Sequence, residues 1–176
     1  MIKLPFLYLL LFASINVCKA QLSPREIAVL KNDLVRAVES SKVTDSLYEK
    51  LAKLPGKTAL VTAYAGTLEA LKAKHSWKPY NKIKYVKQAL KTMQGAINVD
   101  PHNMEIRFMR FSIEHYTPGF LGLSKNLIAD RKEIIKHYQN RNFGSANDEL
   151  VKNVAQFMID SERCTPQEIT ILKKFS

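Results

Sequence analysis

The chain has 176 residues, 27 Lys+Arg against 16 Asp+Glu for a net charge of +11, six glycines and two cysteines. That length suits one domain with a real core, and so few glycines fit helices better than a turn-rich sandwich. The basic balance would raise nucleic acid as a partner, but no nucleic-acid-binding signature accompanies it, and no G-x-S-x-G, phosphate loop or G-x-G-x-x-G points to an enzyme.

The N-terminus reads as an export signal. Lys3 supplies a positive start and "LPFLYLLLFASINV" an apolar stretch short for a membrane span. Cys18 and Ala20 then place small residues where signal peptidase would cleave, before Gln21. Two alternatives compete: lipidation of Cys18, although the preceding "INV" lacks the small residue expected there, and an uncleaved anchor. The expected location is the periplasm or cell envelope of a bacterium. Residues 21–176 would then form a single all-α domain of net charge +9, after loss of Lys3 and Lys19. With only Cys164 remaining, no internal disulfide could form, so packing alone must hold the fold. The anions available in an envelope are lipid phosphates and acidic glycans. The competing reading is that excess lysine serves solubility alone.

Helix follows helix along the rest of the chain. "SPREIAVLKNDLVRAVESS" opens with Ser23, Pro24 and Glu26, a capping box with proline at the first helical position. Thr165, Pro166 and Glu168 repeat that signature before "EITILKKF". Between them the pattern predicts helices near 43–54, 57–74, 79–98, 103–116, 124–140 and 145–160. Pro55-Gly56, Pro79, Asp100-Pro101, Pro118-Gly119 and Phe143-Gly144 mark the breaks. The short connections predict about eight helices in stacked antiparallel hairpins.

Three of these helices are informative on a wheel. Over 57–74, Leu60, Tyr64, Leu68 and Leu71 form an apolar stripe beside the small residues Ala59, Ala63, Gly66 and Ala70. A mid-helix glycine costs about 1 kcal/mol relative to alanine. Gly66 therefore implies that another helix approaches its backbone closely. Over 79–98, Ile83, Val86, Leu90, Met93 and Ile97 face one side, and Lys84, Lys87 and Lys91 the other. Over 103–116, apolar groups cover most of the circumference, which predicts a central helix. Arg107, Arg110 and Glu114 occupy its one polar arc.

Ala89, Met93, Ala96 and Pro101, with "AINVDPHN" between the last two, resemble the second half of a tetratricopeptide repeat. Gly66 resembles the small position of that repeat's first helix. The resemblance covers about residues 57–116; Gly66 and Ala89 are 23 positions apart, more than a standard repeat allows, because "KAKHSWKPYNK" lengthens the hairpin. The chain also resembles exported helical proteins of bacteria, which implies little about function. The repeat family implies a tetratricopeptide-like α-α superhelix whose concave face binds peptides or partner proteins, without cofactor or chemistry of its own.

Two surfaces emerge as candidate sites. In "KAKHSWKPYNKIKY", residues 72–85, lysines alternate with His75, Trp77, Tyr80 and Tyr85, so the loop could grip an anionic or aromatic ligand through charge and stacking. The simpler reading has Trp77 packing down to fix the chain's entry into the next helix, as tryptophan usually buries most of its ring. Arg107 and Arg110 could line a groove and grip a carboxylate. Alternatively they form an internal network with Glu105, Glu114 or Asp130. His102 beside Asp100 and Glu105 has loosely ligand-like spacing, but no H-E-x-x-H or paired Cys/His pattern supports a metal. His115 falls on the apolar side of its helix and His137 near a helix C-terminus. Cys164 precedes a helix N-terminus, where a thiolate would be favoured, yet no local histidine offers a base.

Taken together, these patterns predict a non-catalytic exported scaffold binding a protein or peptide through Arg107, Arg110 and the basic 72–91 region. The alternative is a peripheral binder of anionic lipid or acidic glycan through Trp77, Tyr80, Lys84, Lys87 and Lys91.

Overall fold

The computed structural model describes residues 22–176. The expected signal peptide, the cleavage before Gln21 and the lipidation of Cys18 lie outside these residues. Among them the chain forms eight α-helices: α1 (Pro24–Glu39), α2 (Ser41–Ala52), α3 (Ala59–His75), α4 (Pro79–Val99), α5 (Met104–Tyr116), α6 (Leu127–Asn140), α7 (Asp148–Asp160) and α8 (Pro166–Leu172). A single 3-10 turn, Gly119–Leu121, lies between α5 and α6. The all-α class and the helix count agree with the sequence pattern.

The helix starts are chemically specified. Both capping boxes form: the Ser23 and Thr165 side chains accept from the backbone N–H of Glu26 and Glu168, whose carboxylates accept in return from the cap backbone. Thr58, Asn103 and Asn147 cap α3, α5 and α7 with their side-chain oxygens. Ser40, extended at φ −133°, ends α1 and caps α2, so one residue makes the corner without proline or glycine.

Successive helices from α1 to α6 contact one another, and so do the alternating pairs α1 with α3 and α3 with α5. Cross-links set the directions. The Tyr64 hydroxyl on α3 donates to Glu105 on α5 at 2.6 Å, and the Thr67 hydroxyl meets Met109 at 3.1 Å, so α3 and α5 run parallel in register. Lys74, at the end of α3, donates to the Val38 carbonyl at the end of α1 at 2.7 Å. The C-termini of α1, α3 and α5 therefore share one end of the molecule, where α2, α4 and α6 begin.

Gly66 explains the tight α3–α4 contact. A Cβ there would stand 3.3 Å from the Ala89 carbonyl oxygen and 3.2 Å from the Met93 methyl. The close helix approach expected at Gly66 is present. Packing divides into two clusters, one uniting α1–α4 through Leu51, Tyr64, Leu68 and Met93, the other uniting α6–α8 through Ile134, Tyr138, Val154 and Met158. α5 joins them, giving Ile106 and Met109 to the first and Met104 and Phe111 to the second. It is the central helix that its apolar circumference required. None of the described helices is long and apolar enough to cross a membrane.

Candidate functional site

The basic segment around α4 is the most distinctive surface. From Ala70 to Val99 the chain carries seven lysines and no carboxylate. Ser76, extended, closes α3, and Lys78, also extended, precedes Pro79 at the first position of α4. Held between two extended residues, Trp77 turns outward. It is 96% exposed, and Tyr80 is 77% exposed. This corrects the expectation that Trp77 packs down: among the described residues no neighbouring side chain covers the indole, and Pro79 and the backbone set the entry of α4 instead.

Tyr80, Lys84, Lys87 and Lys91 follow at helical spacing and fall within about 60° of arc on α4. All four are exposed. Lys78, Lys82, Lys84, Lys87 and Lys91 have no acidic partner among the described residues. Lys72 and Lys74 differ. Lys72 bridges to Asp45 at 2.9 Å and lies over the Tyr48 ring, and Lys74 bridges to Glu39 at 3.2 Å. Burial would lower the Lys72 pKa, but the Asp45 carboxylate outweighs it and raises the ammonium above its ordinary value. Beside Trp77 a polar cleft of about 200 Å³ opens between Ser41, Asp45, Lys72, His75, Asn81 and Tyr85.

The arginine pair is internal. Arg110 is 3% exposed and grips the fully buried Asp130 of α6 with two bonds of 2.7 Å, while its third donor reaches Gln94 on α4 at 2.6 Å. Arg107 donates to the same carboxylate at 2.9 Å and to the Pro101 carbonyl at 2.8 Å. Of the two arrangements open to these residues, groove or network, the side chains make the network. Arg110 has no face left for a ligand.

Further buried carboxylates act the same way. Glu105 accepts from Tyr64 and from Lys31 at 2.9 Å, tying α1, α3 and α5 together. Burial, with Glu105 alongside, pushes the Tyr64 phenol far above its ordinary pKa. Glu69 collects Tyr48, Gln88 and Thr92. Glu114 holds the start of α6 through the Asn126 backbone and amide, both at 2.7 Å. Of the three carboxylates expected to share the arginine network, only Asp130 does so; Glu105 and Glu114 serve Tyr64, Lys31 and Asn126 instead, partners from other elements that a helix wheel does not show.

Asp100, His102 and Glu105 do not converge. Asp100 accepts from Asn103, Glu105 turns inward, and His102 pairs with Glu133 of α6 at 2.7 Å. Burial would raise the Glu133 carboxyl, but the bond and charge of His102, helped by Lys136 and His137, hold it below its ordinary value. His115 stacks on Phe111, meets Phe157 edge-on and accepts from Arg163 at 2.9 Å. His137 reaches the Asn142 carbonyl at 2.6 Å. Burial pushes the Cys164 thiol up to about 11, with Glu168 adding and Arg131 opposing. The thiolate that the helix start would favour is therefore suppressed.

Sequence reasoning also passed over Phe120, which is 88% exposed in the α5–α6 connection. Its signal was present in "TPGFLGLSKN", where large apolar residues lie inside a Pro/Gly-bounded loop that has no helical face to bury them. No family model matches the chain, and no curated protein or solved structure matches it either.

Proposed function

We propose that this protein is a non-catalytic scaffold of tetratricopeptide-like helical hairpins, exported to the bacterial envelope, that binds an anionic group of lipid or glycan through the α4 ridge and the Trp77 turn. One observation carries the reading. An almost wholly exposed Trp77 and an exposed Tyr80 continue into Lys84, Lys87 and Lys91, none of these lysines neutralised by a carboxylate among the described residues. Phosphate or carboxylate would pair with the ammoniums while the aromatic faces cover the adjoining apolar surface.

The test is co-sedimentation with phosphatidylglycerol vesicles, and separately with an acidic polysaccharide, between about 0.05 and 0.5 M salt. Over that range the screening length falls from roughly 14 to 4 Å. Binding in at least one arm should weaken across the series and weaken further in a Lys84→Glu/Lys87→Glu/Lys91→Glu variant. Capture that ignores both salt and the substitutions refutes the reading.

A protein or peptide partner is favoured by a different observation. The odd-numbered helices α1, α3 and α5 touch in series, the arrangement that gives a tetratricopeptide-like stack its inner face. A partner retained at high salt by the triple variant would establish this reading in place of the first. The pairing of Arg107 and Arg110 with Asp130 supports a structural role for both and leaves the basic 72–91 region as the contact surface of this reading.

A further inference from the structure

The exposed apolar side chains are not scattered. Nine large hydrophobic residues are exposed among the described residues, and six of them, Val38, Trp77, Tyr80, Tyr116, Phe120 and Ile128, belong to the end where α1, α3 and α5 finish and α2, α4 and α6 begin. The register fixes this placement. Lys74 and His75 reach the Val38 and Ala37 carbonyls, which brings the ends of α1 and α3 level. Tyr64 with Glu105 and Thr67 with Met109 carry α5 alongside α3, so that Tyr116 comes level with the last turn of α3. Glu69 with Gln88, and Glu114 with Asn126, show α4 and α6 starting from that same end.

Two separate turns therefore present aromatic groups at one level, Trp77 and Tyr80 from the α3–α4 turn and Tyr116 and Phe120 from the α5–α6 connection. Tyr116 and Phe120 are 75% and 88% exposed. Lys78, Lys82 and Lys125 flank them, all exposed and without a salt-bridge partner among the described residues. His115 to Ala129, like Ala70 to Val99, contains no carboxylate, and the exposed Glu39 that ends α1 at this level is paired with Lys74. Clustered exposed aromatics mark an interaction surface. Tryptophan and tyrosine suit the membrane–water boundary, where one part of the ring is dry and the other wet, and flanking lysines suit anionic headgroups.

Resting on the basic-aromatic reading above, we propose that its partner is an anionic bilayer and that the protein docks end-on, with the Trp77 and Phe120 turns inserted into the interface. The geometry separates this from binding along the side of α4. Lys91 lies eleven residues beyond Tyr80, about 16 Å up the helix, which exceeds the screening length of about 8 Å at physiological salt. End-on docking thus needs Lys78, Lys82 and Lys125 far more than Lys91.

Trp77 is the only tryptophan, so its fluorescence reports on this end alone. The experiment titrates the full chain with phosphatidylglycerol/phosphatidylcholine vesicles containing brominated acyl chains. Docking predicts a blue shift and quenching of Trp77. Phe120→Ser should require about tenfold more lipid, from loss of one inserted aromatic side chain. Its thermal unfolding should match the parent, since Phe120 is exposed. Lys78→Glu/Lys125→Glu should likewise weaken docking, and Lys91→Glu should not. Attachment through another part of the chain would leave Trp77 unquenched and refute the proposal. Sedimentation with vesicles or polysaccharide that depends on Lys84, Lys87 and Lys91 but leaves Trp77 emission unmoved would also refute end-on insertion, while sparing the broader reading. Failure to bind either material would remove both.

Discussion

Replacing Asp130 by alanine should be among the most damaging single changes in the molecule. Its carboxylate is fully buried and accepts three guanidinium N–H groups, two from Arg110 and one from Arg107. Arg107 can turn toward water and keep its bond to the Pro101 carbonyl, but Arg110 cannot, because it is 3% exposed and would retain only Gln94 as an acceptor. Removing one partner of a buried ion pair typically costs about 3–5 kcal/mol, since the remaining charge stays desolvated. For a domain of this size that lowers the melting temperature by roughly 6–20 °C. Urea unfolding followed by circular dichroism, with the slope unchanged, measures the loss. Arg107→Ala should cost about 1 kcal/mol, and the double change Asp130→Leu/Arg110→Met should recover much of the deficit by replacing the pair with apolar volume. A loss below about 1 kcal/mol for Asp130→Ala would refute the argument, because it would mean that Arg110 finds water or another carboxylate.

Further outcomes follow from single contacts. Gly66→Ala should destabilise by about 1 kcal/mol in thermal unfolding: alanine's better helix propensity is outweighed because its methyl would press against the backbone of α4. Burial, with Arg163 adding, lowers the His115 pKa below 6.5, so the unfolded chain binds the proton more readily. His115 thus contributes stability that is full above about pH 6.5 and is lost as pH falls through the folded value, and a His115→Phe variant should lack that part of the acid dependence. With its pKa near 11, Cys164 is roughly one part in a thousand thiolate at pH 8, so iodoacetamide should label the native protein slowly and the urea-unfolded protein rapidly.

The helical framework was legible because its punctuation is local. Ser23 with Glu26 and Thr165 with Glu168 lie within one turn of each other, and prolines or glycines mark most of the remaining breaks. Gly66 was equally readable, since a glycine inside a well-formed helix needs a close neighbour to justify its cost. The fate of Arg107 and Arg110 was not readable. A wheel shows that they share an arc, but the choice between groove and network depends on where Asp130 stands across the α5–α6 hairpin. That is set by a ten-residue connection, Thr117–Asn126, whose 3-10 turn and left-handed Gly122 fix the register.

Trp77 shows the opposite failure, and its cause is more general. Tryptophan is usually well covered, but what decides the ring's direction is whether the backbone on each side lets it fold back. Ser76 and Lys78 are both extended and Pro79 fixes the next φ, so the chain carries the indole away from the core before α4 begins. Meanwhile Glu69, Glu105, Glu114 and Asp130 turn inward to fasten neighbouring helices. The molecule thus sequesters four carboxylates while leaving an indole and a phenylalanine in water at its lysine-flanked end. Burying charge and exposing aromatics both oppose folding. The buried carboxylates recover their cost through bonds that lock the hairpins. Trp77 and Phe120 make no such compensating contact among the described residues, and the end-on docking proposed above would supply one.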